Sequence, residues 1–264
     1  LSSRRAAAVA ACALTIVLSS DSPRLNAQNG GGAWAIVGAQ IADGTGAPLR
    51  AGTVRFAGDR IVSVGEGGPQ PADTIVDAKG LIVSPGFIDI HNHSAGELAN
   101  DPAAETQVAQ GITTAVLGPD GSSPWPIGDF LRERRATPAA MNVAVMVGHA
   151  TVRRLVMNED YKRAARADEI ARMAALVEQG MQDGAVGLSS GLEYEVGGYA
   201  ETGELVALAA AAARHGGIYM SHIRDEADKA FDAFQEAIAI GERAHIPVQI
   251  SHIKLGTVGV WRKA

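Results

Sequence analysis

Cysteine is almost missing from this chain: 264 residues contain one, Cys12. A disulfide framework is therefore excluded, and a metal would have to be held by histidine and carboxylate rather than thiolate. Cationic excess is also missing. Lys and Arg number 23 against 29 Asp and Glu, for a formal net charge of −6. That balance excludes the basic face that nucleic-acid binding needs. Aromatic residues are scarce at 5%, while glycine is abundant at 31. What remains is an ordinary globular composition, 47% hydrophobic and 20% charged, with mean hydropathy +0.06. It contains ample material for a core.

The first 27 residues read as a signal peptide. Arg4-Arg5 form a basic start, and Ala6–Leu18 form an apolar stretch too short to span a bilayer. A polar stretch leads to Asn26-Ala27-Gln28, which suits cleavage. Ser3-Arg4-Arg5 allows a twin-arginine signal, and Val9-Ala10-Ala11-Cys12 resembles a lipobox, although the apolar run continues past Cys12. An uncleaved anchor is a further alternative. The expected location is periplasmic or secreted, with no stable membrane span in the mature protein.

Residues 28–84 read as a small β domain. Trp34–Val37, Thr53–Phe56, Ile61–Val64 and Ile82–Val83 are β-prone runs, with turn signals at Asp43-Gly44 and Gly58-Asp59. The expectation is an incomplete β-sandwich piece. From residue 85 to 264 the pattern becomes strand, helix, strand. Apolar strands are expected at Phe87–Ile90, Thr113–Leu117, Val143–Val147, Ala185–Leu188, Ile218–Met220 and Val248–Ile250. Amphipathic helices are expected at Ala167–Gln182, Glu204–His215 and Lys229–Ala244. Such alternation predicts parallel βα units and an α/β fold.

The ends of these strands carry the chemistry. In GFIDIHNH, His91 and His93 lie two apart on a strand and so project the same way. Asp120 follows the second strand in Gly-Pro-Asp-Gly; a plain turn residue is the alternative, since Pro-Asp-Gly is good turn sequence. His222 and His252 follow the fifth and sixth strands, in SHIRDE and SHIKLG. Four imidazoles and one carboxylate converge and suit one or two Zn2+ ions. Asp120 is the candidate to bridge two ions, and Asp120, His222 and His252 the tighter site. His215 and His245 come at helix ends before a strand and are read as helix-terminal residues, not ligands. Ser189 and Ser190 show no Ser-His-Asp ordering, which argues against a serine hydrolase.

The run Pro-Gly-Phe-Ile-Asp-x-His-x-His resembles the first-strand signature of the amidohydrolase superfamily. GITTAVLGPDG, NVAVMVGHATVRRLVM, GLSSGLEYEVGGYAETGEL, YMSHIRDE and PVQISHIKLG resemble the N-acyl-D-amino-acid deacylases, from about residue 34 to the end. Well-known members carry a cysteine ligand where this chain has Asp120. The resemblance implies an incomplete TIM-type (β/α) barrel, with about six of eight strands present. It implies zinc-dependent hydrolysis of the amide bond of N-acyl-D-amino acids by water activated at the metal. Its general base, an aspartate after the eighth strand, would lie beyond residue 264. The small-molecule substrate would be an N-acyl amino acid. Lys254 is the candidate for its α-carboxylate, a solvated surface lysine being the alternative. Tyr194 is the candidate for a hydrogen bond to the substrate or the oxyanion, a packing role being equally open. Arg224 would steer an anionic substrate, or else pair with Asp225 or Glu226. His149 and Arg153 would support the site from behind. A metallo-dipeptidase or cyclic-amide hydrolase of the same superfamily, or a truncated non-catalytic relic, are the alternatives.

Overall fold

A computed structural model describes residues 32–263. The expected leader, 1–27, lies outside them. The chain divides into two compact units, with the boundary between Pro85 and Gly86.

The first unit contains strands β1 (Trp34–Ile41), β2 (Arg50–Ala57), β3 (Arg60–Gly65), β4 (Thr74–Asp77) and β5 (Ile82–Val83). They form one five-stranded sheet, not the two facing layers of a sandwich. The reason lies in β1, which uses both of its edges. One edge takes β2 antiparallel, and the other takes β4 and then β5 in parallel. A bulge at Gly38, with φ of 77°, falls between the β4 and β5 pairings. β2 and β3 form the hairpin expected at Gly58-Asp59.

The second unit carries β6 (Phe87–Asn92), β7 (Ile112–Leu117), β8 (Asn142–Val145), β9 (Val147–Gly148), β10 (Gly187–Gly191), β11 (Ile218–His222) and β12 (Val248–Ile250). All pairings among them are parallel. β8 and β9 are two halves of one segment broken at Met146. β8 pairs with β7, and β9 with β10, so the segment links both groups of strands. The backbone N–H of Met146 donates to Leu117 at 2.9 Å, and Val186 donates to Val145 at 2.9 Å, which carries the ladder across the break. The result is a run of βα units rather than a closed barrel: among the described residues β6 pairs only with β7, and β12 only with β11.

Side chains alternate between the two faces of this sheet. Val116, Met146 and Met220 form one small cluster. Ala115, Leu117, Val145 and Tyr219 join the main core beneath the helices. The longer helices are α1 (Ile127–Ala136), α2 (His149–Met157), α3 (Ala167–Gln182), α4 (Thr202–Ala213) and α5 (Ala230–Ala244). In α3, Met173, Val177 and Met181 recur every four residues and are buried. Each contributes roughly 1.5–3 kcal/mol by leaving water. The start of α3 is sealed by Glu169, which accepts the Arg166 backbone N–H at 2.8 Å. In α5 the stripe Ala230, Ala233, Ala237, Ile240 and Ala244 is buried. No helix among the described residues is long and apolar enough to cross a membrane.

Candidate metal centre

His91 and His93 owe their aim to a bulge. β6 pairs Asp89 with Ala115 and Asn92 with Leu117, so three steps on β6 match two on β7. Asp89 holds this irregularity, accepting from the His91 backbone N–H at 3.1 Å and from Asn92 Nδ2 at 2.8 Å. Beyond it both imidazoles turn towards Asp120. His91 Nε2 lies 3.4 Å and His93 Nε2 3.3 Å from Asp120 Oδ2. The two Nε2 atoms are themselves 3.2 Å apart.

Asp120 sits at the centre of a tight turn with φ of 57°, a left-handed position that aspartate tolerates better than most residues. It is thus both a turn residue and a site residue. Ser189 pins the turn from within β10. Its Oγ donates to the Gly118 carbonyl at 2.6 Å and accepts from the Gly121 N–H at 3.2 Å. The turn also packs directly on Gly148, where a Cβ would come within 2.7 Å of the Gly121 carbonyl carbon.

His222 ends β11 and is buried, at 3% exposure. Its Nδ1 faces Asp120 Oδ1 at 3.7 Å and Tyr194 Oη at 3.2 Å. Its Nε2 faces Glu193 at 3.0 Å and Glu226 at 3.7 Å. The His252 ring packs against both neighbours, 4.7 Å from the His91 centroid and 4.9 Å from that of His222. Three ligand groupings result: His91, His93 and Asp120; Asp120, His222 and His252; and Glu193, His222 and Glu226.

The electrostatics follow. Burial works to raise the Asp120 carboxyl, but the His91, His222 and His93 rings outweigh it and hold the group below its usual range. Burial, with His91 beside it, lowers His252. Burial, followed by the Asp120 charge, raises Tyr194. Asp120 Oδ1 is buried without a hydrogen-bond partner, as is His91 Nδ1. An orphaned carboxylate oxygen costs about 1–3 kcal/mol or more. A cation between the imidazoles would repay that cost, and nitrogen and oxygen donors without thiolate suit a borderline divalent ion. Asp120 offers Oδ2 to His91 and His93 and Oδ1 to His222, and groups with His252 as well, so the residues present fit a metal and fit a shared carboxylate.

The remaining candidates divide. Tyr194 stands at the centre, its hydroxyl 3.4 Å from Asp120 Oδ2. Lys254 pairs with Glu226, which raises its pKa. Arg224 is a correction: its guanidinium is filled by Glu236, at 2.7 and 2.9 Å, and by the Ala200 carbonyl at 3.0 Å. It ties the base of the 191–200 loop to α5 instead of reaching a substrate, and its partner is neither Asp225 nor Glu226. His149 and Arg153 are fully buried and share the carboxylate of Glu204 on α4. Burial opposes ionisation of Glu204, but His149 and Arg153 outweigh it. His245 caps α5 in a left-handed conformation, and His215 follows the end of α4. Glu193, Glu226 and Ser189 carry roles the sequence pattern did not bring out. A faint signal existed for Glu226, four residues after His222.

The amidohydrolase family model matches residues 74–258. The chain is 39% identical over 244 residues to an N-acyl-D-aspartate deacylase of Alcaligenes xylosoxydans xylosoxydans, covering 83% of this chain and 49% of the relative. A crystal structure of D-aminoacylase superposes with a TM-score of 0.81 at 36% identity, covering 86% of this chain and 52% of that one. The N-acyl-D-glutamate deacylase of Bordetella bronchiseptica, solved with zinc and a phosphonate inhibitor, gives 0.77 at 35% identity, covering 81% and 50%. The chain spans about half the length of the curated relatives it matches. A histidine pair on a first strand, a carboxylate after the second and histidines after the fifth and sixth thus stand on a scaffold shared with these hydrolases, and the chain belongs to the amidohydrolase family.

Proposed function

We propose that this chain forms the metal-binding part of a zinc-dependent hydrolase of N-acyl-D-amino acids. The observation that carries the reading is Asp120, whose Oδ2 faces His91 and His93 and whose Oδ1 faces His222, with His252 in the same ligand group. One ion would be held by Asp120, His222 and His252, and a second by His91, His93 and Asp120. When bound, zinc supplies Lewis acidity, bringing the pKa of water towards ~7 and polarising a carbonyl. In the overall reaction water adds across the amide: the C–N bond breaks, a C–O bond forms, and the nitrogen leaves with a proton. The products are a carboxylate and a D-amino acid.

The chain's own residues supply binding and orientation. Lys254 exchanges its Glu226 partner for the substrate α-carboxylate, a charge-assisted contact of about 1.5–3 kcal/mol. The Tyr194 hydroxyl, aimed between Asp120 and His222, donates to the oxygen that gains charge during attack. Glu193 accepts from His222 Nε2, with the Glu226 carboxylate 3.7 Å away, and so holds Nδ1 towards Asp120. The pattern over residues 1–27 supports a periplasmic or secreted location.

The test is metal analysis of the full-length protein together with its turnover of N-acetyl-D-leucine and the L enantiomer. His222→Ala and His252→Ala are each expected to lose zinc, and Lys254→Ala to raise KM while keeping zinc. Full zinc content in both histidine variants, or equal turnover of the two enantiomers, overturns the reading.

A further inference from the structure

A cavity of about 460 Å³ opens beside the centre. His93, Asp120 and Tyr194 line it, and so does Arg154, from α2. That volume lies within the range of small-molecule sites. Arg154 has features that a merely solvated arginine lacks. Its guanidinium carbon lies 4.5 Å from the centroid of the Tyr161 ring, and Tyr161 is buried at 4% exposure. Stacking of this kind fixes the fork and reduces the entropy lost when it binds. Among the described residues no carboxylate comes within ion-pair distance of Arg154. The nearby acid, Glu195, is taken by Lys162 at 2.6 Å, with Lys162 Nζ 5.8 Å from the same ring. Glu195, which lines the cavity beside Arg154, is thus already paired with Lys162, and the cation left over is the one built for bidentate recognition of a planar anion.

Resting on the amidohydrolase reading above, we propose that Arg154 binds a second carboxylate of the substrate, so that the preferred substrates are dicarboxylic N-acyl-D-amino acids. Lys254 does not line this cavity and remains the partner of the α-carboxylate. The second carboxylate can come from an acidic side chain or from a dicarboxylic acyl group. Both present the same planar anion to Arg154.

The experiment measures kcat/KM on the zinc-loaded full-length protein, which carries the base expected beyond residue 264, for N-acetyl-D-glutamate, N-succinyl-D-leucine and N-acetyl-D-leucine. The readout is each dicarboxylate's ratio to N-acetyl-D-leucine. Arg154→Ala is expected to lower one ratio by about 10- to 100-fold, the cost of a charge-assisted pair. The ratio that falls identifies the source: side chain for N-acetyl-D-glutamate, acyl group for N-succinyl-D-leucine. Arg154→Lys, which keeps the charge but not the fork, is expected to recover only part of the loss. Ratios that both move less than about twofold overturn the proposal. If no N-acyl-D-amino acid is turned over at all, the hydrolase reading fails. Calorimetric binding of the two dicarboxylates then decides separately on Arg154: a loss of about tenfold or more in the alanine variant sustains the site, and equal affinities remove it.

Discussion

Gly148→Ala tests how the Asp120 turn is held. The new Cβ would lie 2.7 Å from the Gly121 carbonyl carbon and 2.8 Å from the Ser123 nitrogen. Non-bonded carbons settle at about 3.5–4.0 Å, so the turn must retreat by roughly 0.8 Å. Both obstacles are backbone, and Ser189 and Ser123 tie that backbone down, so no flexible side chain can absorb the shift. The expected cost of such overpacking is about 1–3 kcal/mol. The effect on metal is the larger one. Ligand distances tolerate only roughly 0.2 Å, and Asp120 is one residue from the point of collision. Zinc affinity, measured by calorimetry on protein stripped with chelator, is expected to fall about 10- to 100-fold. Gly203→Ala is the control, because a Cβ there meets nothing within 4 Å. It is expected to bind zinc as before and to gain up to about 1 kcal/mol in stability from helix propensity. If Gly148→Ala melts and binds zinc like the unaltered protein, the turn is not seated on β9 as described.

Glu204→Ala leaves His149 and Arg153 buried without their shared carboxylate, and is expected to cost about 3–5 kcal/mol in chemical denaturation. A loss below about 1 kcal/mol would show that the cluster is not carrying α2 and α4. Arg163, with the Arg166 N–H, lowers the Glu169 carboxyl to about 2 from its ordinary 4.5. Its stabilising contribution is therefore complete above pH 4.5 and is lost as pH falls towards 2. The stability gap between the unaltered protein and Glu169→Gln should close over that interval, and a constant gap would count against the assignment. His245→Gly relieves a left-handed backbone at the end of α5, φ 53°, and is expected to add up to about 1 kcal/mol to the unfolding free energy.

Much of the barrel-like unit was legible because its signals are local. Ala167–Gln182 matches α3 to the residue: its apolar spacing is strong, and Glu169 and Gly184 mark its ends. The apolar pattern puts the fourth strand at Ala185–Leu188, two to three residues early. The real β10, Gly187–Gly191, runs through two buried serines whose hydroxyls are satisfied by Gly118, Tyr219 and Ser221. Partners that distant in sequence leave no periodic trace. β4 escaped notice because it is four residues long and exposed. The histidines stood out because each follows an apolar run. Arg224 misleads for a related reason: a charge near a strand end reads as functional, while its partner, Glu236 on the following helix, leaves no local trace.

The contact between His91 and His252 has a bearing on how the molecule assembles. Their rings lie 4.7 Å apart, yet His91 belongs to β6 and His252 follows β12 by two residues. Bringing them together closes a loop of about 160 residues, an entropic cost that local contacts along the way must already have met. The pocket for an ion therefore cannot precede the stacking of the intervening βα units. An ion bound there would draw its ligands from strands far apart in the chain and slow the escape of β12. Metal release would then report on the opening of β12 well before global unfolding.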